Sequence, residues 1–202
     1  MNTPECAYCG EHLRARHSHR ARFCSGRCRV AAHRAAKRAA EAMPTLPDEL
    51  TTSPRWIRHS STKVPLTAAG MAASSTDPKM WSTYTDAAAS RAGVGLGFVL
   101  NGDGVVCIDL DHCIRPDGSL EPWAAAIVAD AGTTYVEVSP SGDGLHIWGR
   151  ADVRQGRRIR RPDGTAVEVY GTGRYITVTG RRHGDSPSTL GELSALVAVL
   201  TR

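Results

Sequence analysis

The chain has 202 residues, is 41% hydrophobic and carries a formal net charge of +5. That length holds one full domain plus a small appendage, with enough apolar content for a core. No run of about 18 apolar residues is present, which excludes a membrane-spanning helix, and the opening MNTPECAYCG lacks the apolar stretch of a secretory signal. A cytoplasmic, reducing location is expected, where the six cysteines point to metal or free thiols rather than disulfides.

The charge is unevenly spread. Residues 1–40 hold nine Lys/Arg and two Asp/Glu, a net of +7, which leaves −2 for residues 41–202. Such asymmetry suggests a polyanionic partner for the N-terminal segment. In the same segment Cys6, Cys9, Cys24 and Cys28 are spaced C-x2-C-x14-C-x3-C, close to patterns in which four thiolates surround one zinc ion. His12, His17 and His19 are alternative ligands. A segment this polar cannot bury enough surface to fold alone, and a metal supplies the missing free energy, about 10–16 kcal/mol in finger peptides. The Ala/Arg-rich run RVAAHRAAKRAAEAM after Cys28 is a helix by propensity. A zinc knuckle followed by a basic helix resembles treble-clef-like fingers and suits phosphate contact. Residues 1–42 are therefore read as a four-cysteine zinc-binding module with a basic helix. Residues 43–53, with two of the three prolines of MPTLPDELTTSP, read as a linker, and residues 54–202 as the main domain.

Within the main domain, DPKMWSTYTDAAASRA (77–92) reads as a helix with Asp77 as N-cap and Pro78 at its first position. GLGFVL and VVCIDLD read as two strands of a hairpin around NGDG (101–104). SLEPWAAAIVADAG (119–132) reads as a helix closed by Gly132. Strands follow at 134–139, 145–149, 166–170 and 174–180, then an amphipathic helix at 188–200.

Side chains of a strand alternate between faces. Val106, Ile108 and Leu110 then oppose Cys107, Asp109 and Asp111; Val136 and Val138 oppose Glu137; Leu145 and Ile147 oppose His146; Val167 and Val169 oppose Glu168; Ile176 and Val178 oppose Thr177. If these five strands form one sheet, its dry face meets the helices at 119–132 and 188–200. Its wet face collects Asp109, Asp111, Glu137, His146 and Glu168.

Carboxylates at i and i+2 repel one another in a partly desolvated site unless a cation intervenes. Hard divalent ions such as Mg²⁺ or Mn²⁺ take oxygen ligands and keep positions open for phosphate, the arrangement used for in-line phosphoryl or nucleotidyl transfer. Glu137 by itself reads better as an ordinary residue of a half-exposed sheet. Ser141, Gly142 and Gly144 form a tight turn whose N–H groups can approach an anion, with His146 next on the wet face; a plain glycine hairpin is the other reading. Arg154, Arg157, Arg158, Arg160 and Arg161 read as a basic loop, either solvated or gripping a template backbone or a triphosphate.

The ordered series RWIRHSSTKVPL, WSTYTDA, GLGFVL, CIDLDHCI, YVEVSPSGDGLHIWG, VEVY and GRYITVTG, over residues 54–182, resembles the archaeo-eukaryotic primase superfamily. The nearest branch is the bifunctional primase–polymerase (prim-pol) domain at the N-terminus of phage and plasmid replication proteins. The resemblance implies an α+β fold with an RRM-like, mostly antiparallel sheet and helices on one face. It implies Asp109, Asp111 and Glu168 as holders of one or two Mg²⁺ or Mn²⁺ ions. Ser141, Gly142, Gly144 and His146 would engage the incoming triphosphate, Arg174 a phosphate, and Lys63 nucleotide or template. Zinc elements of some relatives lie within or after the core, whereas here the candidate precedes it. The implied activity is template-dependent nucleotidyl transfer, making or extending primers on single-stranded DNA from NTPs or dNTPs, with a separate replicative helicase as partner in a phage, prophage or plasmid replicon. A non-catalytic zinc-finger replication adaptor and a metal-dependent nuclease are the alternatives.

Overall fold

The computed structural model describes residues 4–13, 21–41, 46–160 and 165–202. The chain divides into two compact units, residues 1–44 and 45–202. His17, His19 and Arg161 lie outside the described residues.

In the first unit, Glu5 and His12 form an antiparallel bridge, and helix α1 runs from Gly26 to Glu41. The Ser25 hydroxyl accepts from the Cys28 N–H at 3.2 Å, as an N-cap does. That cap begins the helix two residues before Cys28 and sets Cys28 in its first turn.

In the second unit the elements are α2 (Asp48–Thr51), β1 (Trp56–His59), β2 (Pro65–Leu66), a 3-10 turn (Pro78–Met80), α3 (Tyr84–Ala89), β3 (Gly95–Asn101), β4 (Val105–Leu110), α4 (Pro122–Asp130), β5 (Val136–Val138), β6 (Leu145–Arg150), β7 (Arg157–Arg160), β8 (Ala166–Tyr170), β9 (Thr172–Val178), β10 (Gly191–Glu192) and α5 (Ser194–Leu200). They build an α+β architecture of two largely antiparallel sheets. One has the order β2-β1-β3-β9; the other has the order β10-β6-β4-β8-β7, with β5 also paired to β6.

Several sequence expectations change here. The strands at 95–100 and 105–111 do not form a hairpin: β3 pairs with β1 and β9, whereas β4 pairs with β6 and β8. The turn at 101–104 carries the chain from one sheet to the other. The step from β8 to β9 crosses beside it, and the Gly102 N–H donates to the Gly171 carbonyl at 2.9 Å. Residues 174–178 accordingly belong to the smaller sheet, so the five expected strands are not one sheet. The single helix expected at 77–92 is broken. Asp77 caps only the 3-10 turn, and Thr83 caps α3 by accepting from the Asp86 N–H. Between them Ser82 exchanges backbone hydrogen bonds with Trp56, at 2.8 and 3.0 Å, a tertiary bridge that overrides helical propensity. The helix expected at 188–200 begins only at Ser194, because Gly191 and Glu192 pair in parallel with β6. The basic loop is in part an edge strand, β7. The expected linker is packed from residue 46 onward: Leu46 and Leu50 are buried, and the Trp56 indole donates to the Leu50 carbonyl.

Two cores result. Val106, Ile108, Leu110, Ile147, Val167 and Val169 of the larger sheet pack with Ile127 of α4 and Leu196 of α5, as the parity pattern requires. On the opposite face Cys107, Tyr135, Trp148 and Tyr170 pack with Trp56, Phe98, Ile176 and Val178 of the smaller sheet. Each such large apolar side chain contributes about 1.5–3 kcal/mol when fully buried. The second face is therefore dry along one end and polar only where Asp109 begins.

Candidate functional site

The register of the larger sheet draws one line of side chains across five strands. Glu137 of β5 is opposite His146 of β6, His146 opposite Asp109 of β4, Asp109 opposite Glu168 of β8, and Glu168 opposite Arg158 of β7. Side chains directly opposite on antiparallel strands sit within contact reach. Asp111 follows one alternation later on the same face, its N–H donating to the Ala166 carbonyl at 3.3 Å.

The row opens into a cleft of about 560 Å³, whose lining includes Asp109, Asp111 and Glu168 together with Lys63, Arg158 and Arg174. Glu168 is the most heavily engaged of the acids. Arg158 Nε lies 2.9 Å from Oε1, Arg174 lies 3.9 Å from Oε2, and the Tyr170 hydroxyl donates to Oε2. Arg174 also lies over the Tyr170 ring at 3.8 Å, which orients its guanidinium. Asp109 has a carboxyl raised above the usual aspartate range. Burial is the main cause, opposed by His146 and reinforced by Asp111 and Glu168. A charge in that position gains from a bound cation. Hard carboxylate oxygens in an open, polar cleft are the donor chemistry that Mg²⁺ or Mn²⁺ takes.

His146 lies between two acids, its Nε2 3.7 Å from Asp109 and its Nδ1 3.2 Å from Glu137. Glu137 corrects the sequence reading. It is wholly buried rather than half-exposed, and it accepts hydrogen bonds from Tyr135, Trp148, Thr179 and Gly180 as well as lying against His146. No local signal marks this: the donors come from separate stretches of chain, and the Thr179–Gly180 pair follows the end of a strand in the other sheet.

The turn before His146 is built as a tight loop. Gly142 has φ of +91°, which favours glycine. A Cβ at Gly144 would lie 2.7 Å from the Leu110 carbonyl oxygen. Ser141 donates to Asp143, and His112 Nδ1 lies 2.6 Å from the other Asp143 oxygen. His112 is raised from its ordinary value chiefly by that hydrogen bond. The turn is thus tied to the loop following β4. Ser141, Gly142 and Gly144 do not line the cleft; of this motif only His146 does. Lys63 lines it from the β1–β2 connection with φ of +61°, and its carbonyl accepts from the Tyr175 hydroxyl.

In the N-terminal unit, the sulfurs of Cys6, Cys9, Cys24 and Cys28 all lie within 4.8 Å of one another. Cys24–Cys28, Cys9–Cys24 and Cys9–Cys28 are 3.4, 3.6 and 3.7 Å apart. A tetrahedral site with metal–sulfur bonds of about 2.3 Å has sulfur–sulfur edges of about 3.8 Å, so the cluster is shaped to hold one metal ion. The Cys9 backbone N–H lowers Cys6 to about 6, whereas the neighbouring Cys28 thiol raises Cys24 to about 12. Crowded thiols of this kind need a cation before all four ionise. Among the described residues no other set of three or more such ligand atoms lies this close together; Asp109, Asp111 and Glu168 share the cleft at wider spacing.

The described residues thus present a polar cleft with opposed carboxylates and cations and, in the N-terminal unit, a compact cysteine cluster. Residues 32–193 match the family described as "bifunctional DNA primase/polymerase, N-terminal", and the chain belongs to that family. It is 41% identical over 133 residues to the "DNA Primase-polymerase" of Nitratiruptor phage NrS-1, an overlap covering 62% of this chain and 18% of that protein. The chain thus spans less than a fifth of the length of that relative. Among the described residues no helix is long and apolar enough to cross a membrane.

Proposed function

We propose that this chain is a template-dependent nucleotidyltransferase that makes or extends primers on single-stranded DNA from nucleoside triphosphates, in the replication of a phage, prophage or plasmid. The observation that carries this reading is the Asp109–Glu168 register pair, with Asp111 beside it and Lys63 and Arg174 lining the same cleft. Family membership and the likeness to a phage primase–polymerase support it.

In this reading Asp109, Asp111 and Glu168 hold divalent ions, Mg²⁺ or Mn²⁺. Such ions, when bound, would activate the attacking 3′-hydroxyl and stabilise the leaving pyrophosphate. Lys63 and Arg174 neutralise phosphate oxygens, Arg174 with its guanidinium already oriented by Tyr170. His146 presents Nε2 beside Asp109 and donates to the triphosphate. The Ser141–Gly144 turn, which does not line the cleft, leads directly into β6 and so sets where the His146 ring sits. The two-sheet core is the RRM-like scaffold of the family in this reading, and a replicative helicase is its working partner. In the N-terminal unit Cys6, Cys9, Cys24 and Cys28 hold one Zn²⁺, which supplies the folding energy of that module. The exposed Arg27 and Arg34 of α1 contact the template backbone.

The decisive experiment is primer synthesis on unprimed and primed single-stranded DNA with Mn²⁺ or Mg²⁺, comparing ribo- and deoxynucleoside triphosphates. Nucleotide incorporation that requires both template and metal is expected. Metal-dependent degradation of labelled DNA without nucleotides would instead establish a nuclease.

A further inference from the structure

Glu137 is a fully buried carboxylate in the row that leads to the cleft, yet it does not line the cleft. We propose that Glu137 is a positioning residue: it accepts the hydrogen of Nδ1, which fixes the His146 ring, and leaves Nε2, carrying a hydrogen of its own, turned toward the phosphates of the nucleotide. This rests on the nucleotide-binding reading of His146 given above.

The argument comes from the donors around Glu137. Oε1 accepts from the Trp148 indole N–H at 3.3 Å, and Oε2 from the backbone N–H groups of Thr179 and Gly180 at 3.1 and 2.8 Å. None of these three groups can act as an acceptor. The Tyr135 hydroxyl adds a fourth donor, at 3.2 Å from Oε2. The carboxylate therefore acts as an acceptor on both oxygens. His146 Nδ1 lies 3.2 Å from Oε1 and must bring a hydrogen, because a bare Nδ1 would set lone pair against lone pair in a buried site. The edge of Trp148, 6.5 Å away at 85° to the imidazole, walls the ring on one side. With Nδ1 committed, Nε2 is the nitrogen left for the cleft, where it sits 3.7 Å from Asp109.

Glu137 also joins the two sheets. Its Oε2 holds the chain immediately after β9, and β9 forms the opposing wall of the cleft through Arg174 and Thr177. One buried side chain thus sets both the reacting edge of His146 and the end of the wall facing it.

The test has a wild-type arm and a mutant arm. Long-range ¹H–¹⁵N NMR of the full chain should show His146 with a protonated Nδ1, and the Nε2 resonance should move on titration with dATP and Mg²⁺. In Glu137→Gln the preference for Nδ1–H should be lost. KM for the nucleotide should rise about tenfold, the scale of one charge-assisted hydrogen bond, with kcat changed much less. In a His146→Ala background the same substitution should leave KM unmoved, because the Gln carbonyl can still accept from the Thr179 and Gly180 N–H groups and the remaining effect passes through the ring. A His146 protonated only at Nε2 in the wild-type protein overturns the proposal, whether or not the variant folds. An equal rise in KM with and without His146 also overturns it. Should the wild-type chain bind no dATP, the nucleotide reading of the site fails, and the tautomer measurement still decides what Glu137 does.

Discussion

Asp109 and Glu168 occupy directly opposed positions on the adjacent antiparallel strands β4 and β8, and both side chains line the same cleft. Two acids in that relation repel, and the fold tolerates the repulsion with cations: Arg158 and Arg174 flank Glu168, and Lys63 and His146 offset the charge at Asp109. The same balance would hold metal and triphosphate together.

Replacing Asp109, Asp111 or Glu168 by Ala should reduce nucleotide incorporation by on the order of 10³-fold or more, the rate equivalent of several kcal/mol of charge stabilisation. The cleft is open and none of the three side chains is a core residue, so circular dichroism should remain that of the wild type. Incorporation at the wild-type rate by any of these variants would exclude the proposed metal site.

Asp109 also makes a stability prediction. Burial holds its carboxyl above the ordinary aspartate range, so the folded chain binds this proton more tightly than the unfolded chain. Stability falls as pH rises from the unfolded value through the raised folded value, and the penalty persists at neutral pH. Asp109→Asn should therefore be inactive yet melt higher than wild type at pH 7, with the difference vanishing in acid. Each kcal/mol recovered raises Tm by about 2–4 °C at this chain length. Metal affinity of the wild type should weaken as pH drops through the raised value, because the proton competes for the same oxygens; titration calorimetry with Mn²⁺ at several pH values measures this.

Gly144→Ala places a methyl group 2.7 Å from the Leu110 carbonyl oxygen and 2.8 Å from the Ser139 hydroxyl. Leu110 is a β4 backbone position that cannot yield easily, so the turn must shift and carry His146 with it. KM for the nucleotide should rise about tenfold or more, the scale of one lost hydrogen bond. By contrast Gly118→Ala, with open space around it but a φ of +83°, should cost only local strain of about 1 kcal/mol. Steady-state kinetics on the two variants separate the site-specific effect from the general one.

Cys24→Ser should unfold the N-terminal unit and abolish the zinc binding proposed for it, because a module of this polarity lacks a core of its own. The second unit has two apolar cores independent of it and should keep its melting transition. Metal content by atomic emission, together with two-stage proteolysis, reports both.

Arg27→Ala and Arg34→Ala, each an exposed position on α1, should weaken single-stranded DNA binding evenly across sequences. Each should reduce the slope of log K against log salt by about 0.7, the single-strand value per phosphate contact. Unchanged slopes would remove α1 from the template interface.

The part of this protein legible in its residues is the part that depends on neighbours along the chain. Alternation in 105–111, 145–149 and 166–170 assigned Asp109, His146 and Glu168 to one face, because strand period is a local property. Cysteine spacing announced the four-sulfur cluster for a similar reason: short loops constrain where ligands can meet. The tertiary structure alone decided which strands pair. NGDG between two apolar runs looks like a hairpin, yet the two runs enter different sheets, since partner choice depends on apolar surface supplied by β1 and β9 far away in sequence. The same nonlocal packing broke the helix expected at 77–92, through the bridge from Ser82 to Trp56, and turned part of the arginine-rich loop into the edge strand that places Arg158 against Glu168. It also buried Glu137 beneath donors drawn from distant positions. A carboxylate on a strand looks the same in sequence whether water or a shell of protein donors surrounds it, and only the assembled sheets determine which.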